Sequence, residues 1–316
     1  MRLLVARPMP TAVMDRANAA FDCEIRTANT PLSGEELRRA LVEFDAVIPT
    51  LGDRFSAEVF DDVPRPRCGL LANFGVGYNH IDAAAAKAAG VQVSNTPGAV
   101  TDATADIGMT LILMSARRAG EGERLLRTGL WPGWHPTQML GMHISGKTVG
   151  IVGMGRIGQA VARRCHFGFG MKVRYFSRSP KDLDFQAEIT ASLKELAATV
   201  DVLVVTLPGA ADTHHLIDAA VFQAMQPHAH LVNIARGDIV DEAALIAALQ
   251  AGEIAGAGLD VYEFEPKVPE ALMQMEQVTL LPHMGTAALD VRTDMGHMAL
   301  DNVAAFAEGK ALPNPV

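Results

Sequence analysis

The sequence of 316 residues predicts an α/β protein with two doubly wound parallel-sheet domains. Short apolar runs alternate with helix-length segments along the whole chain, which is the pattern of parallel strands covered by helices. The length also allows two domains of ordinary size, each with its own core. A breaker cluster, Asn95-Thr-Pro-Gly98, places the boundary of the first domain at residue 98.

The composition is that of a soluble globular protein with a formal net charge of −9. This acidic balance disfavours nucleic acid and anionic membrane surfaces as partners. No apolar run reaches the length of a signal-peptide core or a membrane span, so we expect a cytoplasmic protein. Cys23, Cys68 and Cys165 are widely spaced and lie among apolar residues, which predicts reduced core thiols and no metal site.

The first domain opens with alternating strands and helices. Strands are predicted at residues 3–6, 24–26, 46–49 and 68–73, and helices at residues 10–20 and 33–42. Ser33 and Glu36 have the spacing of a capping box at the second helix. The last of these strands runs into glycines at positions 75 and 77, where backbone amides either form an anion-binding turn or a plain connection.

A glycine motif follows the strand predicted at residues 148–152. Gly153 permits a tight turn, Gly155 lets the backbone approach a pyrophosphate, and Gly158 lets the next helix pack closely on the strand. This order of strand, turn and helix predicts a Rossmann-like domain that binds a dinucleotide. The alternative is that the glycines only pack a tight turn.

The second strand of this unit, predicted at residues 171–176, indicates which dinucleotide is bound. An acidic residue normally follows it and binds the adenine ribose of NAD, but here the sequence is Ser177-Arg178-Ser179. A guanidinium between two hydroxyls suits a ribose 2′-phosphate. We therefore expect NADP(H), with NAD(H) and a solvated Arg178 as the alternative.

Charged residues follow three successive strands in the second domain, predicted at residues 230–235, 257–261 and 278–281. They are Arg236, Glu265 and His283. Because the carboxyl ends of parallel strands share one edge, these side chains should lie near the dinucleotide. Glu263 competes with Glu265, but residues two apart on an extended segment face opposite ways, and we expect Glu263 to be solvated.

The only tryptophans, Trp131 and Trp134, lie in a stretch at residues 126–141 that is punctuated by glycine and proline. They either shape a pocket or an interface or anchor a core.

Taken together, these motifs resemble the D-isomer-specific 2-hydroxyacid dehydrogenases, in the glyoxylate/hydroxypyruvate reductase branch. The resemblance spans nearly the whole chain and rests on six segments. They are residues 73–82, 95–106, the glycine motif, 233–238, 257–266 and 281–285.

The resemblance implies an active site in the cleft between a substrate-binding domain, residues 1–98 plus 287–316, and a dinucleotide-binding domain, residues 99–286. It assigns catalysis to Arg236, Glu265 and His283. The implied substrate-binding residues are Leu51, Val76, Gly77 and Trp134. The implied or expected cofactor-binding residues are Thr104, Gly153, Gly155, Arg156, Ile157, Gly158, Ser177, Arg178, Ser179, Leu207, Pro208, Thr213, Ile234, Ala235, Asp260, His283 and Gly285.

These residue types suit the reduction of a small anionic 2-keto acid to a 2-hydroxy acid. Arg236 can pair with the carboxylate and polarise the keto group, and His283 can donate the proton while Glu265 favours its protonated ring. The resemblance also implies a homodimer in which Trp134 reaches the partner's active site.

Of four alternative functions, three are disfavoured and one stays open. Formate dehydrogenases carry glutamine at the position of Glu265, and phosphoglycerate dehydrogenases fit poorly because of Ser177 and Arg178. A dinucleotide-sensing corepressor without turnover is disfavoured by the complete catalytic set. A keto acid bulkier than glyoxylate stays open, because the pocket walls near Leu51, Trp134 and Met284 cannot be sized from the sequence.

Overall fold

The computed structural model describes all 316 residues, which divide into two compact units. Unit 1 comprises Met1–Val100 and Thr286–Val316, and unit 2 comprises Thr101–Gly285. The strands are β1 (Arg2–Val5), β2 (Asp22–Ile25), β3 (Ala46–Ile48), β4 (Leu70–Ala72), β5 (Gln92–Ser94), β6 (Thr148–Val152), β7 (Lys172–Phe176), β8 (Ala187–Ile189), β9 (Val202–Val205), β10 (His230–Asn233), β11 (Gly256–Leu259) and β12 (Val278–Leu280).

Twelve α-helices accompany these strands. They are α1 (Thr11–Ala20), α2 (Gly34–Glu43), α3 (Ala57–Asp62), α4 (Ala83–Ala88), α5 (Thr101–Ala116), α6 (Ala119–Thr128), α7 (Arg156–Arg163), α8 (Leu193–Ala198), α9 (Ala219–Ala224), α10 (Glu242–Ala251), α11 (Glu270–Gln274) and α12 (Leu289–Ala307).

Unit 1 contains a five-stranded sheet in the order β2-β1-β3-β4-β5, and all its strand pairs are parallel. The predicted capping box begins α2: Glu36 N donates to Ser33 Oγ, and Ser33 N donates to Glu36 Oε2. The last helix, α12, packs so closely on α1 that a Cβ at Gly296 would lie 2.5 Å from Val13 Cγ2. The C-terminal segment thus belongs to the core of unit 1.

Unit 2 contains a seven-stranded parallel sheet in the order β12-β11-β10-β9-β6-β7-β8. Apolar clusters bury it on both faces. The strand order reverses between β6 and β9, and a ligand of an open α/β sheet binds beyond the carboxyl ends of the strands at such a point. The predicted class, two doubly wound parallel-sheet α/β domains, is confirmed.

Several short elements differ from the sequence predictions. The expected loop at residues 126–141 begins inside α6, and the predictions named neither β5 nor β8. Cys23, Cys68 and Cys165 are free, and burial raises the pKa of Cys165 to about 12. None of the helices combines the length and apolarity required to cross a membrane.

Candidate active site

The turn between β6 and α7 has the geometry of a phosphate-binding loop. Gly153 has φ +98°, in the left-handed region that favours glycine. A Cβ at Gly158 would lie 2.2 Å from the Gly153 carbonyl oxygen, so α7 requires glycine at this point. Gly155 is exposed, and a Cβ there would meet nothing within 4 Å, which leaves the helix N-terminus open to an anion.

Thr206, which was not predicted from the sequence, holds this turn. Its Oγ1 donates to the carbonyl oxygens of Gly153, at 2.6 Å, and Val152, at 3.2 Å. Thr206 directly follows β9, the strand on the other side of the switch point. The signal available in the sequence was a hydroxyl at the end of a strand, which is too common to indicate a role.

At the end of β7, Ser177 is half-buried, while Arg178 and Ser179 are exposed. Lys181 Nζ lies 3.1 Å from Ser179 Oγ and adds a second cation that the sequence analysis did not name. The Lys181 amide donates to Tyr175 Oη at 3.1 Å, which ties the start of this loop to the strand. Two cations and two hydroxyls therefore line the strand end where an acid normally binds a ribose.

Other predicted cofactor residues also lie in unit 2, on loops at the same sheet edge. In the loop after β9, Thr213 Oγ1 donates to Pro208 O at 3.1 Å, which closes that loop on itself. Of the other predicted cofactor-binding residues, Arg156 and Ile157 begin α7, Leu207 directly follows Thr206, and Ile234 and Ala235 follow β10.

Arg236 lies just beyond β10 in a turn that Asn233 shapes. Asn233 Nδ2 donates to Arg236 O at 2.9 Å, and Ala235 N donates to Asn233 Oδ1 at 3.0 Å. Burial lowers the pKa of Arg236 while the negative charges of Glu265 and Asp238 oppose this shift. An arginine nevertheless stays protonated in proteins, so the site holds a half-buried positive charge.

Glu265 and His283, which follow the neighbouring strands β11 and β12, are hydrogen-bonded. The His283 Nδ1 atom lies 2.8 Å from Glu265 Oε2, and Tyr262 N donates to Glu265 Oε1 at 3.0 Å. Burial raises the pKa of Glu265, but the hydrogen bond and charge of His283, with Tyr262 N and Arg236, outweigh it and lower that pKa. The carboxylate therefore accepts from Nδ1–H, and Nε2 is the ring nitrogen of His283 that Glu265 does not bind.

The backbone of His283 is strained and is held by Asp260. His283 has φ +54°, a conformation that costs a residue with a side chain about 1–3 kcal/mol. The buried carboxylate of Asp260 accepts from Met284 N at 2.6 Å and from Gly285 N at 2.8 Å. Burial raises the pKa of Asp260 despite these two bonds. Thr104 Oγ1 and Asp260 Oδ2 would each lie 3.4 Å from a Cβ at Gly285, so three predicted cofactor residues converge here.

The expectation that Glu263 is solvated is wrong. Its side chain is 13% exposed, and its Oε1 lies 2.8 Å from His215 Nε2. Glu263 and Glu265 lie in a tight turn, closed by a bridge between Phe264 and Lys267, and not on an extended segment. They still meet different partners, as expected, because the turn directs one carboxylate to His215 and the other to His283.

The side chains of His214, His215 and Glu263 form the one group whose ligand atoms could approach a metal ion, all within 4.8 Å. The two imidazoles stack with centroids 3.9 Å apart and planes inclined by 25°. A metal must lie in the plane of each imidazole about 2.1 Å from nitrogen, and planes so nearly parallel do not meet at that distance. The group is therefore better described as a hydrogen-bonded pair with a stacked neighbour.

In unit 1, Leu51 is exposed in a turn after β3, and a buried ion pair supports that turn. Asp53 is fully buried and accepts from Thr50 N at 2.7 Å and Leu32 N at 2.9 Å. Arg7 donates to Asp53 Oδ1 at 3.3 Å and to Leu51 O at 3.0 Å. Leu51 was expected from the sequence, but Arg7 and Asp53, which fix its turn, were not.

The segment after β4 presents two predicted substrate-binding amides. Asn73 Nδ2 donates to Gly75 O at 2.9 Å and to Gly77 O at 3.1 Å, and Asn95 Nδ2 donates to Val76 O at 2.9 Å. With these carbonyls held by asparagines, the amides of Val76 and Gly77 are free to bind an anion. Both asparagines were part of recognised motifs, but their roles depend on contacts that the sequence does not show.

Trp134 is 79% exposed and Trp131 is 48% exposed. Anchoring of a core within this chain is therefore not their role. Leu126, Leu130 and Leu140 of the same stretch are exposed as well, which makes this an unusually apolar surface.

A parallel sheet with this glycine turn, and with a carboxylate-bound histidine at a strand end, defines an NAD(P)-dependent oxidoreductase. The family model of the D-isomer specific 2-hydroxyacid dehydrogenase NAD binding domain matches residues 109–285. The chain therefore belongs to the D-isomer-specific 2-hydroxyacid dehydrogenase family, as its motifs predicted.

Individual relatives agree with this assignment. The chain is 40% identical to a glyoxylate reductase of Thermococcus gammatolerans, with 100% of this chain and 95% of the relative covered. It is 37% identical to a glycerate dehydrogenase of Hyphomicrobium methylovorum, covering 98% and 96%. An NADPH-dependent glyoxylate/hydroxypyruvate reductase of Sinorhizobium meliloti, solved with NADP and malonate, superposes with a TM-score of 0.88 at 35% identity, covering 100% and 96%. These relatives confirm the resemblance to the glyoxylate reductase branch.

Proposed function

We propose that this protein reduces a small 2-keto acid, such as glyoxylate or hydroxypyruvate, to the D-2-hydroxy acid with NADPH. The observation that carries the proposal is the hydrogen bond between Glu265 and His283, one strand away from Arg236 on the same sheet edge. The glyoxylate reductases among the relatives, at about the same length and 40% identity, support this substrate class.

In this proposal, Arg236 binds the carboxylate of the keto acid and polarises its keto oxygen. Its half-buried position strengthens that pairing, because a charge is less screened where water is partly excluded. In unit 1, Val76 N and Gly77 N are the proposed donors to a carboxylate, and Leu51 is a proposed contact for the substituent on the keto carbon. Trp134 is proposed to contact that substituent in the active site of the partner subunit. A neutral molecule of the same shape would not form the ion pair with Arg236.

His283 is the proposed general acid. Glu265 is ionised at neutral pH because its pKa lies below the ordinary value, so it accepts from Nδ1–H and stabilises the protonated ring. The proton on Nε2 is then available to the keto oxygen as negative charge develops there. A bound nicotinamide dinucleotide supplies the hydride.

The residues present fit such a dinucleotide. The open turn at Gly155 accepts a pyrophosphate, and Thr104, Asp260 and Gly285 converge where the family binds the nicotinamide end. For the adenosine end we propose that Arg178, Ser177, Ser179 and Lys181 bind a ribose 2′-phosphate. The other proposed contacts are Arg156, Ile157, Gly153, Gly158, Leu207, Pro208, Thr213, Ile234, Ala235 and His283. The NADPH-dependent relative supports this preference.

Initial rates test the proposal directly. Glyoxylate, hydroxypyruvate, pyruvate and phenylpyruvate are each offered with NADPH and with NADH. We expect the two small oxygenated acids to give the highest kcat/KM, and NADPH to be preferred. Phenylpyruvate as the best substrate would indicate a larger pocket, and an NADH preference of about tenfold or more would contradict the phosphate assignment.

Two variants locate the phosphate site. Arg178→Ala should raise the KM for NADPH by about 10- to 100-fold, the range of a charged hydrogen bond, and leave NADH nearly unchanged. Lys181→Ala should act in the same direction with a smaller effect, since its ammonium already pairs with Ser179. Lys172→Ala, on the same strand, is the matched control because Lys172 is exposed and lies at the opposite end of β7.

We also propose a homodimer that uses the exposed apolar stretch around Trp134. A single chain that exposes two tryptophans and three leucines in one short stretch presents a surface suited to a second copy. Light scattering should give the mass of a dimer at assay concentration. A fully active monomer would contradict this part of the proposal.

A further inference from the structure

Three loops that carry the proposed chemistry meet at His215. They follow β9, β10 and β11, and they contain the proposed cofactor contacts, Arg236 and Glu265 respectively. We infer that His215 is a positioning residue, which holds the arginine and glutamate loops in register with the cofactor loop through Asp238 and Glu263. This inference rests on the proposed keto-acid reduction.

The first link runs along the backbone. His215 N donates to Asp238 O at 2.8 Å, and Ile217 N donates to Ile239 O at 3.0 Å. Two consecutive bonds of this kind join the end of the cofactor loop to the short turn that directly follows Arg236. Arg236 therefore cannot shift far along its strand direction without breaking bonds to the loop that holds His215.

The second link is the side-chain pair with Glu263, whose Oε1 lies 2.8 Å from His215 Nε2. Glu263 N donates to Glu242 Oε1 at 2.9 Å, and the preceding amide, Tyr262 N, donates to Glu265 Oε1 at 3.0 Å. Glu263 is therefore held through both its backbone and its side chain, immediately beside the amide that orients Glu265. Removing the His215 ring would leave a carboxylate that is 13% exposed without its partner, and the turn would have to move to solvate it.

The third observation explains why such a movement would reach both catalytic groups. A Cβ at Gly237 would lie 1.8 Å from the carbonyl carbon of Tyr262 and 2.3 Å from Glu263 N. The turn after Arg236 and the turn before Glu265 thus pack backbone against backbone, with no side chain between them to absorb a shift. A displacement of Glu263 is passed to Arg236 on one side and to Glu265 on the other.

The backbone of His215 is itself held in an uncommon conformation. Its φ is +50°, which a residue with a side chain adopts at a cost of about 1–3 kcal/mol when its surroundings enforce it. His283 has a similar φ of +54°. The path from His215 runs through its hydrogen bond to Glu263, along the peptide bond to Tyr262 N, and through hydrogen bonds to Glu265 and His283. Both of its ends are therefore fixed at strained residues.

The experiment compares His215→Ala with His214→Ala, a matched control at the adjacent position. His214 stacks on His215 but is exposed and has no bond to Glu263. Melting temperatures establish that each variant is folded. The readouts are kcat and KM for glyoxylate and NADPH, and the deuterium isotope effect on kcat with NADPH labelled at the transferred position.

We expect His215→Ala to lower kcat by about 10- to 100-fold, the loss that a misplacement near 1 Å produces, and to increase the isotope effect. The KM for NADPH should stay within about threefold of wild type, because the glycine turn and Arg178 follow other strands. His215→Gln, which keeps an N–H donor for Glu263, should recover most of kcat. Glu263→Ala should resemble His215→Ala, and the double variant should be no worse than either single variant, since both act through one pair.

A folded His215→Ala enzyme with wild-type kcat and isotope effect overturns the inference. Additive losses in the double variant also overturn it, because they would mean that His215 does not act through Glu263. Both results require an active wild type, so they are distinct from failure of the proposed function, in which wild type shows no keto-acid-dependent oxidation of NADPH and both proposals fall.

Discussion

Unit 1 and unit 2 both place their candidate binding residues beyond the carboxyl ends of a parallel sheet, but they use that edge differently. In unit 1 the turn after β4 presents the amides of Val76 and Gly77, and neutral asparagine side chains hold its carbonyls. In unit 2 the edge presents charged side chains that hold one another, as Glu265 and His283 do. One edge is suited to recognise an anion by shape, and the other to move a proton.

The electrostatics of the two edges differ in the same sense. In unit 1 the buried carboxylate of Asp53 pairs with Arg7 and accepts from two backbone amides, so its charge is matched locally. In unit 2, burial lowers the pKa of Arg236 and raises that of Asp260, whereas the hydrogen bond with His283 helps to lower that of Glu265. Perturbed groups in a cluster of this kind are typical of catalytic sites.

The largest expected loss of activity follows substitution of His283, on the unit 2 edge. His283→Ala should lower kcat by about 10²- to 10⁴-fold, the contribution typical of general acid catalysis, with a modest change in NADPH affinity. Steady-state rates and a fluorescence titration of NADPH measure the two quantities.

His228→Ala is the matched control, because His228 pairs with Asp201 at the amino-terminal edge of the same sheet, just before β10 and β9. It should keep wild-type kcat. A His283→Ala enzyme within a few-fold of wild type would mean that the proton comes from water or from another residue.

The amino-terminal edge of the unit 2 sheet should contribute to stability and not to turnover. His230, hydrogen-bonded to Ser115 at 2.7 Å, is buried, and burial lowers its pKa to about 4. The unfolded chain binds this proton from about pH 6.5 downwards, so folding stability falls as pH falls towards 4. Lowering the pH from 7.5 to 5 should therefore reduce the free energy of unfolding by about 2 kcal/mol through His230 alone.

Urea unfolding of wild type and His230→Gln at those two pH values measures the contribution of His230 to the free energy of unfolding. The variant can keep a bond to Ser115 but has no proton to bind, so its stability should depend less on pH. Equal pH dependence in the two proteins would show that His230 is not the titrating group.

The smallest effect expected is at the unit 1 edge. Asn95→Ala removes one neutral hydrogen bond, to Val76 O, so the KM for glyoxylate should rise by about 2- to 12-fold, equivalent to 0.5–1.5 kcal/mol. Affinity for NADPH should not change. Thr110→Ala, which also removes one hydrogen bond but lies on α5, serves as the control. A change in NADPH affinity without a change in the KM for glyoxylate would remove Asn95 from substrate binding.

The sequence predicted the strands and the residues at their ends well, because buried parallel strands leave strong apolar runs and the residues after them are fixed in place. The range of β6 was predicted without error, and Arg236, Glu265 and His283 do follow adjacent strands. The family motifs added the identity of each group, which strand ends alone do not provide.

What escaped prediction is the set of side chains that hold these groups. Thr206, Asn95 and His215 act through bonds to residues 53, 19 and 48 positions away along the chain, so no local pattern shows them. Glu263 was misjudged for a related reason, since a tight turn replaced the extended segment assumed for it. Short helices such as α3 and α4 were also missed, because six residues are too few for a helical period to be evident.

The most direct test of this account is the pH profile of Glu265→Gln. In wild type, kcat/KM for keto-acid reduction should fall as pH rises, because reduction consumes a proton that the site must hold, while oxidation of the hydroxy acid should improve over the same range. Glutamine keeps an acceptor for Nδ1–H but removes the charge that stabilises the protonated ring. The falling limb of reduction should therefore move to lower pH, whereas Glu270→Gln, at the exposed start of α11, should leave it in place. An unchanged limb in Glu265→Gln would contradict the account.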